Sequence, residues 1–112
     1  MTVPAEAAEL LGDDGPLADA IEGFRARLPQ QQMAAAVAQA LEDQDTLVVE
    51  AGTGVGKTFA YLVPALLSGR KVIVSTGTRN LQDQLFHKDL PLICRTLGMS
   101  VRCALLKGRS NY

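Results

Sequence analysis

The residues best suited to chemistry are a lysine and a threonine that follow a glycine-rich stretch. Residues 50–58 read Glu-Ala-Gly-Thr-Gly-Val-Gly-Lys-Thr, so that Lys57 and Thr58 come directly after the last glycine. In a phosphate-binding loop of this kind, backbone N–H groups surround the phosphates and the lysine reaches them as a cation. The threonine hydroxyl is placed to ligate Mg²⁺. The pattern therefore predicts a site for the phosphates of a nucleotide, most simply Mg-ATP.

The loop departs from the simple motif at its first position, where Ala51 stands in place of glycine. A small side chain is sterically acceptable there, and the glycines that follow allow the loop to bend back closely around a ligand. The alternative is a glycine-rich turn that binds nothing. We expect the whole loop to bind the cofactor, with Lys57 and Thr58 also serving catalysis. Its residues are Ala51, Gly52, Thr53, Gly54, Val55, Gly56, Lys57 and Thr58.

Short apolar runs alternate with helical patterns on both sides of this loop. The predicted buried strands are residues 47–49, 71–74 and 101–106. The predicted helices run from Pro29 to about Glu42, from about Gly56 to Leu67, and onward from a cap at Thr78 or Asn80. Strands that alternate with helices predict an α/β fold, with a parallel sheet and helices on its faces.

Length and composition are those of one small globular domain. The chain has 112 residues, of which 47% are hydrophobic and 21% charged. Pro4 and Gly15-Pro16 bracket an Ala/Glu stretch, which predicts a flexible leader over residues 1–16 with little to bury and a folded body over residues 17–112. No apolar run approaches the roughly 18 residues of a membrane span. No secretory signal is recognisable either, so we expect a cytoplasmic location and no membrane partner.

The charge distribution and the two cysteines limit the kinds of partner and site that the sequence predicts. The first 22 residues carry six acidic and no basic side chains, whereas the rest carry eleven basic against six acidic ones. A mildly basic body suits a polyanionic partner, although the same excess occurs on many solvated surfaces. Cys94 and Cys103 fit neither a zinc signature nor a disulfide scaffold, so we expect them to be small packing residues.

Several separated blocks of sequence resemble one protein family. Residues 27–33 read Arg-Leu-Pro-Gln-Gln-Gln-Met, residues 50–58 form the loop, and residues 74–85 read Val-Ser-Thr-Gly-Thr-Arg-Asn-Leu-Gln-Asp-Gln-Leu. With the closing Leu-Leu-Lys-Gly-Arg-Ser-Asn-Tyr of residues 105–112, they resemble the DinG/XPD branch of superfamily 2 DNA helicases from about Asp14 onward. The resemblance implies a partial RecA-like P-loop NTPase domain. It also implies a parent enzyme that couples ATP hydrolysis to movement on single-stranded DNA.

The resemblance assigns roles to residues outside the loop. Arg27 and Gln30 match the element that senses adenine, and a glutamine amide can pair with both N6 and N7 of that base. Thr78, Arg79 and Gln82 match a segment that touches the phosphates of single-stranded DNA. Plain alternatives stay open, namely an exposed helix start for Gln30, a helix cap for Thr78 and a solvated Gln82.

The family pattern also contains parts that these residues do not supply. An Asp-Glu pair that orients water and arginines from a second RecA-like domain are both expected in the parent. An iron–sulfur cluster held by four cysteines is expected there too, but not in this chain, whose two cysteines cannot hold it. We therefore expect an ATP-binding segment that does not hydrolyse ATP alone. The first alternative is an incomplete, non-catalytic fragment, and the second is a small P-loop kinase. Protein partners are unknown.

Overall fold

The structure is a computed structural model that describes residues 3–21, 23–50 and 56–107. The chain forms two compact units, Met1–Val72 and Ile73–Tyr112. The helices of the first unit are α1 (Val3–Leu10), α2 (Pro16–Ala20), α3 (Leu28–Asp43) and α4 (Lys57–Leu67). Those of the second are α5 (Arg79–Gln84), a π-helical turn (Leu85–Asp89) and α6 (Leu90–Leu97).

Local signals in the sequence account for the bounds of α3 and α4. Pro29 lies in the first turn of α3, where its missing N–H costs nothing, and Gln44 ends the helix in the left-handed conformation. Gly56 precedes α4 with a φ of 76°, and the Ser68 hydroxyl donates to the Ala65 carbonyl at 2.7 Å as that helix ends. The predicted helices over these segments are confirmed.

Helices α1, α3 and α4 pack on one another in the first unit. The side chains of the core have no exposed surface or almost none: Ala7, Leu11, Leu17, Ala34, Ala38, Ala60, Leu62 and Val63. Residues 3–21 thus bury more than their composition indicated, since Ala7, Leu11 and Leu17 all belong to this core. The boundary of the leader at residue 16 stays a prediction.

The buried face of α3 is not its stripe of large apolar residues. Gln30, Ala34 and Ala38 lie one helical turn apart and are buried, whereas Met33 and Val37 line an open groove beside residues 47 and 49. Residues spaced four apart lie on one helix face, so this choice turns Gln30 toward the interior of the unit.

The prediction of an α/β fold with a parallel sheet is wrong for the described residues. Their regular structure is helical, and residues 47–49, 71–74 and 101–106 have no strand assignment. Val48 is 91% exposed and Ile73 is 96% exposed, although β-branched runs of this kind were expected to be buried. A strand requires a second strand paired to it through backbone hydrogen bonds, and none of these segments has such a partner among the described residues.

Two contacts tie residues 106 and 107 to α5 in the second unit. The Gln82 side-chain amide donates to the Leu106 carbonyl at 2.8 Å, and Lys107 Nζ lies 3.5 Å from Asp83 Oδ1.

Helix α6 ends at Gly98, which has a φ of 67°, and the Met99 N–H bonds back to the Cys94 carbonyl at 2.8 Å. This pattern is a common helix stop.

The two cysteines lie on one groove of the second unit in different environments. Both line it together with Phe86, Leu90 and Met99. Cys94 is half-buried and Cys103 is exposed, so the expected packing role is wrong for Cys103. Burial raises the pKa of the Cys94 thiol, and the nearby Cys103 thiol raises it further.

This difference predicts unequal alkylation of the two thiols. The thiolate is the reacting form, so the raised pKa and partial burial should slow Cys94 severalfold relative to Cys103 near pH 8. Iodoacetamide pulses followed by peptide mass spectrometry measure both rates in one sample. In strong urea the two rates should converge, and equal rates in the folded chain would contradict the described environment.

Candidate nucleotide-binding site

The amino-terminal end of α4 presents two positive features at the same place. Lys57 is the first residue of the helix and is exposed, and the first turn contains no acidic side chain. The first N–H groups of a helix have no partner within it, and its dipole makes this end positive. A lysine is normally disfavoured at such an end. Its presence there is explained if the lysine and the positive end of the helix dipole both act on one anion, such as a phosphate group.

The neighbouring residues complete what the structure describes of the loop. Thr58 is half-buried in the first turn of α4, and the Ala60 N–H bonds to the Gly56 carbonyl at 3.2 Å. A threonine hydroxyl at this position is a suitable oxygen ligand for Mg²⁺. The remaining predicted loop residues lie outside the described residues: Ala51, Gly52, Thr53, Gly54 and Val55.

Gln30 connects α3 directly to the residue before Lys57. Its side chain is only 3% exposed, and its Nε2 donates to the Gly56 carbonyl at 3.1 Å. The alternative of an exposed helix start is therefore wrong for this residue, whereas its role at the base stays a prediction. Its Oε1 is buried and has no hydrogen-bond partner among the described residues. A buried amide oxygen without a partner is unfavourable and therefore available to a donor from a ligand.

Position 56 requires glycine both because of the contact with Gln30 and because of its positive φ angle. A Cβ built on Gly56 would collide with the Gln30 side-chain amide. Its φ of 76° is also strained for any residue with a side chain. Glycine is therefore needed at this position for the backbone turn and for the approach of Gln30.

Arg27 and Gln31 lie near Gln30 but play different parts. Arg27 is exposed just before α3, and its side chain makes no cap hydrogen bond to that helix. Gln31 Nε2 donates to the Ala8 carbonyl at 3.1 Å, which links α3 to α1. Nothing in the sequence distinguishes Gln31, because the glutamines on either side are identical in type and its partner lies 23 residues away.

The predicted DNA contacts lie around the start of α5, in the second unit. The Thr78 hydroxyl accepts a hydrogen bond from the Leu81 N–H at 3.2 Å, which confirms the helix cap. Gln82 is held by the Leu106 carbonyl rather than fully solvated, and Arg79 is exposed. None of these contacts prevents Thr78 and Gln82 from donating a remaining hydrogen to a phosphate.

The described residues include no metal-binding cluster and no helix that could cross a membrane. No group of three or more His, Cys, Asp or Glu side chains is arranged to hold a metal ion in that part of the chain. None of the helices found there has the length and apolar character required to cross a membrane.

Comparison with known proteins identifies the family. The model of the DEAD/DEAH box helicase family matches residues 29–111. The chain is 61% identical over 99 residues to the ATP-dependent DNA helicase YoaA of Escherichia coli K12, and 54% identical over 105 residues to YoaA of Haemophilus influenzae. It is 48% identical over 104 residues to the ATP-dependent helicase DinG of Mycobacterium tuberculosis H37Rv.

These matches cover most of this chain but a small part of each relative. They span 88%, 94% and 86% of the chain respectively, and 16% of each of the three relatives. No solved structure matches the chain. The relatives confirm the resemblance to DinG-type helicases that the motifs indicated, and the chain belongs to the DEAD/DEAH box helicase family.

Proposed function

We propose that the chain is the ATP-binding segment of an ATP-dependent DNA helicase. The observation that carries the proposal is the junction of Gln30, Gly56 and Lys57. There a buried amide donates a hydrogen bond to the residue before α4, whose first N–H groups and dipole are suited to an anion. Phosphates would bind the first N–H groups of α4 and the Lys57 ammonium. ATP dependence is also part of the names of the YoaA and DinG relatives.

The donor set of this junction fits Mg-ATP. The Thr58 hydroxyl would ligate Mg²⁺ beside the phosphates, and the metal would neutralise charge that develops on them. Gln30 would recognise the base, with Arg27 near it. One N–H of the Gln30 amide is used on Gly56, which leaves the second N–H for adenine N7 and Oε1 for the N6 amino group.

The anchored amide predicts selectivity for adenine over guanine. Guanine presents an acceptor, O6, where adenine presents its amino group. Gln30 could donate to O6 only by rotating its amide, which would turn Oε1 toward the Gly56 carbonyl and set two acceptors against each other. The hydrogen bond to Gly56 therefore fixes the amide in the orientation that suits adenine.

Gln30→Ala should reduce ATP affinity more than GTP affinity. A bidentate contact to a base contributes about 1–3 kcal/mol of discrimination, so we expect roughly a tenfold loss of the ATP preference. Competition of each nucleotide against a fluorescent triphosphate measures both affinities. Gln32→Ala is the matched control, because Gln32 is exposed on the same turn. An unchanged ratio of the two affinities would overturn the assignment of Gln30 to the base.

For the parent protein we propose single-stranded DNA as the substrate. The second unit, residues 73–112, carries six basic and two acidic side chains, a balance that favours a polyanion. Arg79, Thr78 and Gln82 are the proposed contacts to DNA phosphates. DNA is named as the substrate of the YoaA helicases. Movement along one strand, driven by ATP hydrolysis, is the activity we assign to the parent.

Two further assignments are supported by the family alone. We propose a cytoplasmic location, which is supported by the similarity of the chain to bacterial DNA helicases. We also propose an iron–sulfur cluster in the parent, because residues 105–112 resemble the segment that precedes such a cluster in the family. Iron analysis of the parent protein tests the second assignment.

A further inference from the structure

Three consecutive glutamines at the start of α3 lie in three different environments. Gln30 is buried against Gly56, Gln31 is half-buried and bonded to Ala8, and Gln32 is exposed. Successive helix residues point about 100° apart, so the run places identical side chains toward α4, toward α1 and toward solvent. We propose that Gln31 is a positioning residue that holds Gln30 in place for base recognition. The inference rests on the proposed binding of adenine by Gln30.

The first turn of α3 needs such support, because it is not capped. Arg27 precedes the helix without a side-chain hydrogen bond to it, and no acidic residue lies in its first turn. Uncapped first turns leave their N–H groups unsatisfied and open easily. Gln30 lies in this turn. The position of its side chain therefore depends on this turn as well as on the hydrogen bond to Gly56.

The partner of Gln31 is well suited to hold that turn. The Ala8 carbonyl lies in the last turn of α1, where carbonyls lack partners within the helix, and it also accepts the Leu11 N–H at 3.3 Å. Helix α1 is itself fixed, since Ala7 and Leu11 have no exposed surface. The first turn of α3 is thus anchored on one side to α1 by Gln31 and on the other to Gly56 by Gln30.

Gly12 leaves the space that Gln31 uses. A Cβ on Gly12 would lie 3.3 Å from Gln31 Nε2 and 3.2 Å from the Glu9 carbonyl. These separations are tighter than ordinary van der Waals contact, so Gly12→Ala should shift the Gln31 amide by a few tenths of an ångström and weaken its hydrogen bond, while leaving its chemistry intact. This substitution offers a second way to disturb the same contact without removing the glutamine.

The test compares Gln31→Met with Gln32→Met. Methionine has nearly the length of glutamine but cannot donate the hydrogen bond to Ala8, and Gln32 provides an exposed control of the same chemistry. Loss of one hydrogen bond should weaken ATP binding about three- to tenfold in Gln31→Met. Binding of inorganic tripolyphosphate, which has no base, should not change. Gly12→Ala should weaken ATP binding in the same selective way.

A double-substitution cycle separates this inference from the proposed function. If Gln31 acts through Gln30, Gln31→Met should have no further effect on ATP affinity in the Gln30→Ala background. Additive losses, an equal loss of tripolyphosphate binding, or unchanged ATP binding in both Gln31→Met and Gly12→Ala would overturn the positioning role. If Gln30→Ala itself leaves the ATP preference unchanged, the base assignment fails first and the inference fails with it.

Discussion

Lys57→Ala is expected to abolish most nucleotide binding while leaving the fold intact or slightly more stable. Hydrogen bonds to charged groups contribute about 1.5–3 kcal/mol each, so affinity for Mg-ATP should fall at least tenfold and up to roughly a hundredfold. Lys57 is exposed at the positive end of α4. Removing a cation from that position should stabilise the helix by about 0.3–1 kcal/mol.

The opposite signs of these two effects make the prediction specific. If Lys57 served stability, its substitution would lower the free energy of unfolding. If it serves ligand binding, its substitution should lower the affinity for ATP without lowering that free energy. Fluorescent ATP titration and urea unfolding of the same preparations measure both quantities. Lys71→Ala removes an exposed lysine outside α4 and is the control. Equal ATP affinities of the Lys57→Ala and unsubstituted chains would exclude Lys57 from the site.

The second large effect is expected at Gly56. Gly56→Ala places a side chain in a left-handed conformation, at about 1–2 kcal/mol, and drives a Cβ into the buried Gln30 amide. Disrupting the hydrogen bond of a buried amide costs about 1–3 kcal/mol more. The free energy of unfolding of the first unit should therefore fall by several kcal/mol, and ATP binding should fall with it.

Gly69→Ala is a matched control for the effect at Gly56. Gly69 also has a positive φ, 68°, but a Cβ built there meets nothing within 4 Å. Gly69→Ala should therefore show the conformational strain without the collision. Urea unfolding of Gly69→Ala and Gly56→Ala measures the difference in the free energy of unfolding. Adding Gln30→Ala to Gly56→Ala should recover part of the lost stability by removing the obstacle. Equal losses in the two glycine variants would show that the Gln30 contact does not hold the first unit together.

Helix bounds could be predicted from the sequence because their signals are local. Pro29 at the start of α3, Gly56 before α4 and the Thr78 cap before α5 each act within one turn. The same local rules indicated where Lys57 and Thr58 would lie. They did not indicate which face of α3 is buried, because the small Ala34 and Ala38 give a weaker apolar signal than Met33 and Val37.

The strand predictions were wrong because strand pairing is not a local property. Residues 47–49 and 71–74 have the composition of buried strands, but pairing depends on a neighbour elsewhere in the chain, which composition does not specify. Gln30 and Gln31 show the same limit at the site. Their partners lie 26 and 23 residues away, and nothing in a run of three glutamines distinguishes the one on Gly56 from the one on Ala8.

The most direct test of the nucleotide site follows the amide signals of the ¹⁵N-labelled chain during titration with Mg-ATP. We expect saturable shifts at the Lys57 and Thr58 backbone amides and at the Gln30 side-chain amide, with the exposed Gln32 side chain unchanged. Tripolyphosphate should reproduce the shifts in α4 but only part of the Gln30 shift, because the Gln30 amide bonds to Gly56 beside the phosphate site and the base is missing. Saturable binding that leaves Lys57, Thr58 and Gln30 unmoved, or no saturable binding by the folded chain, would contradict the proposed function.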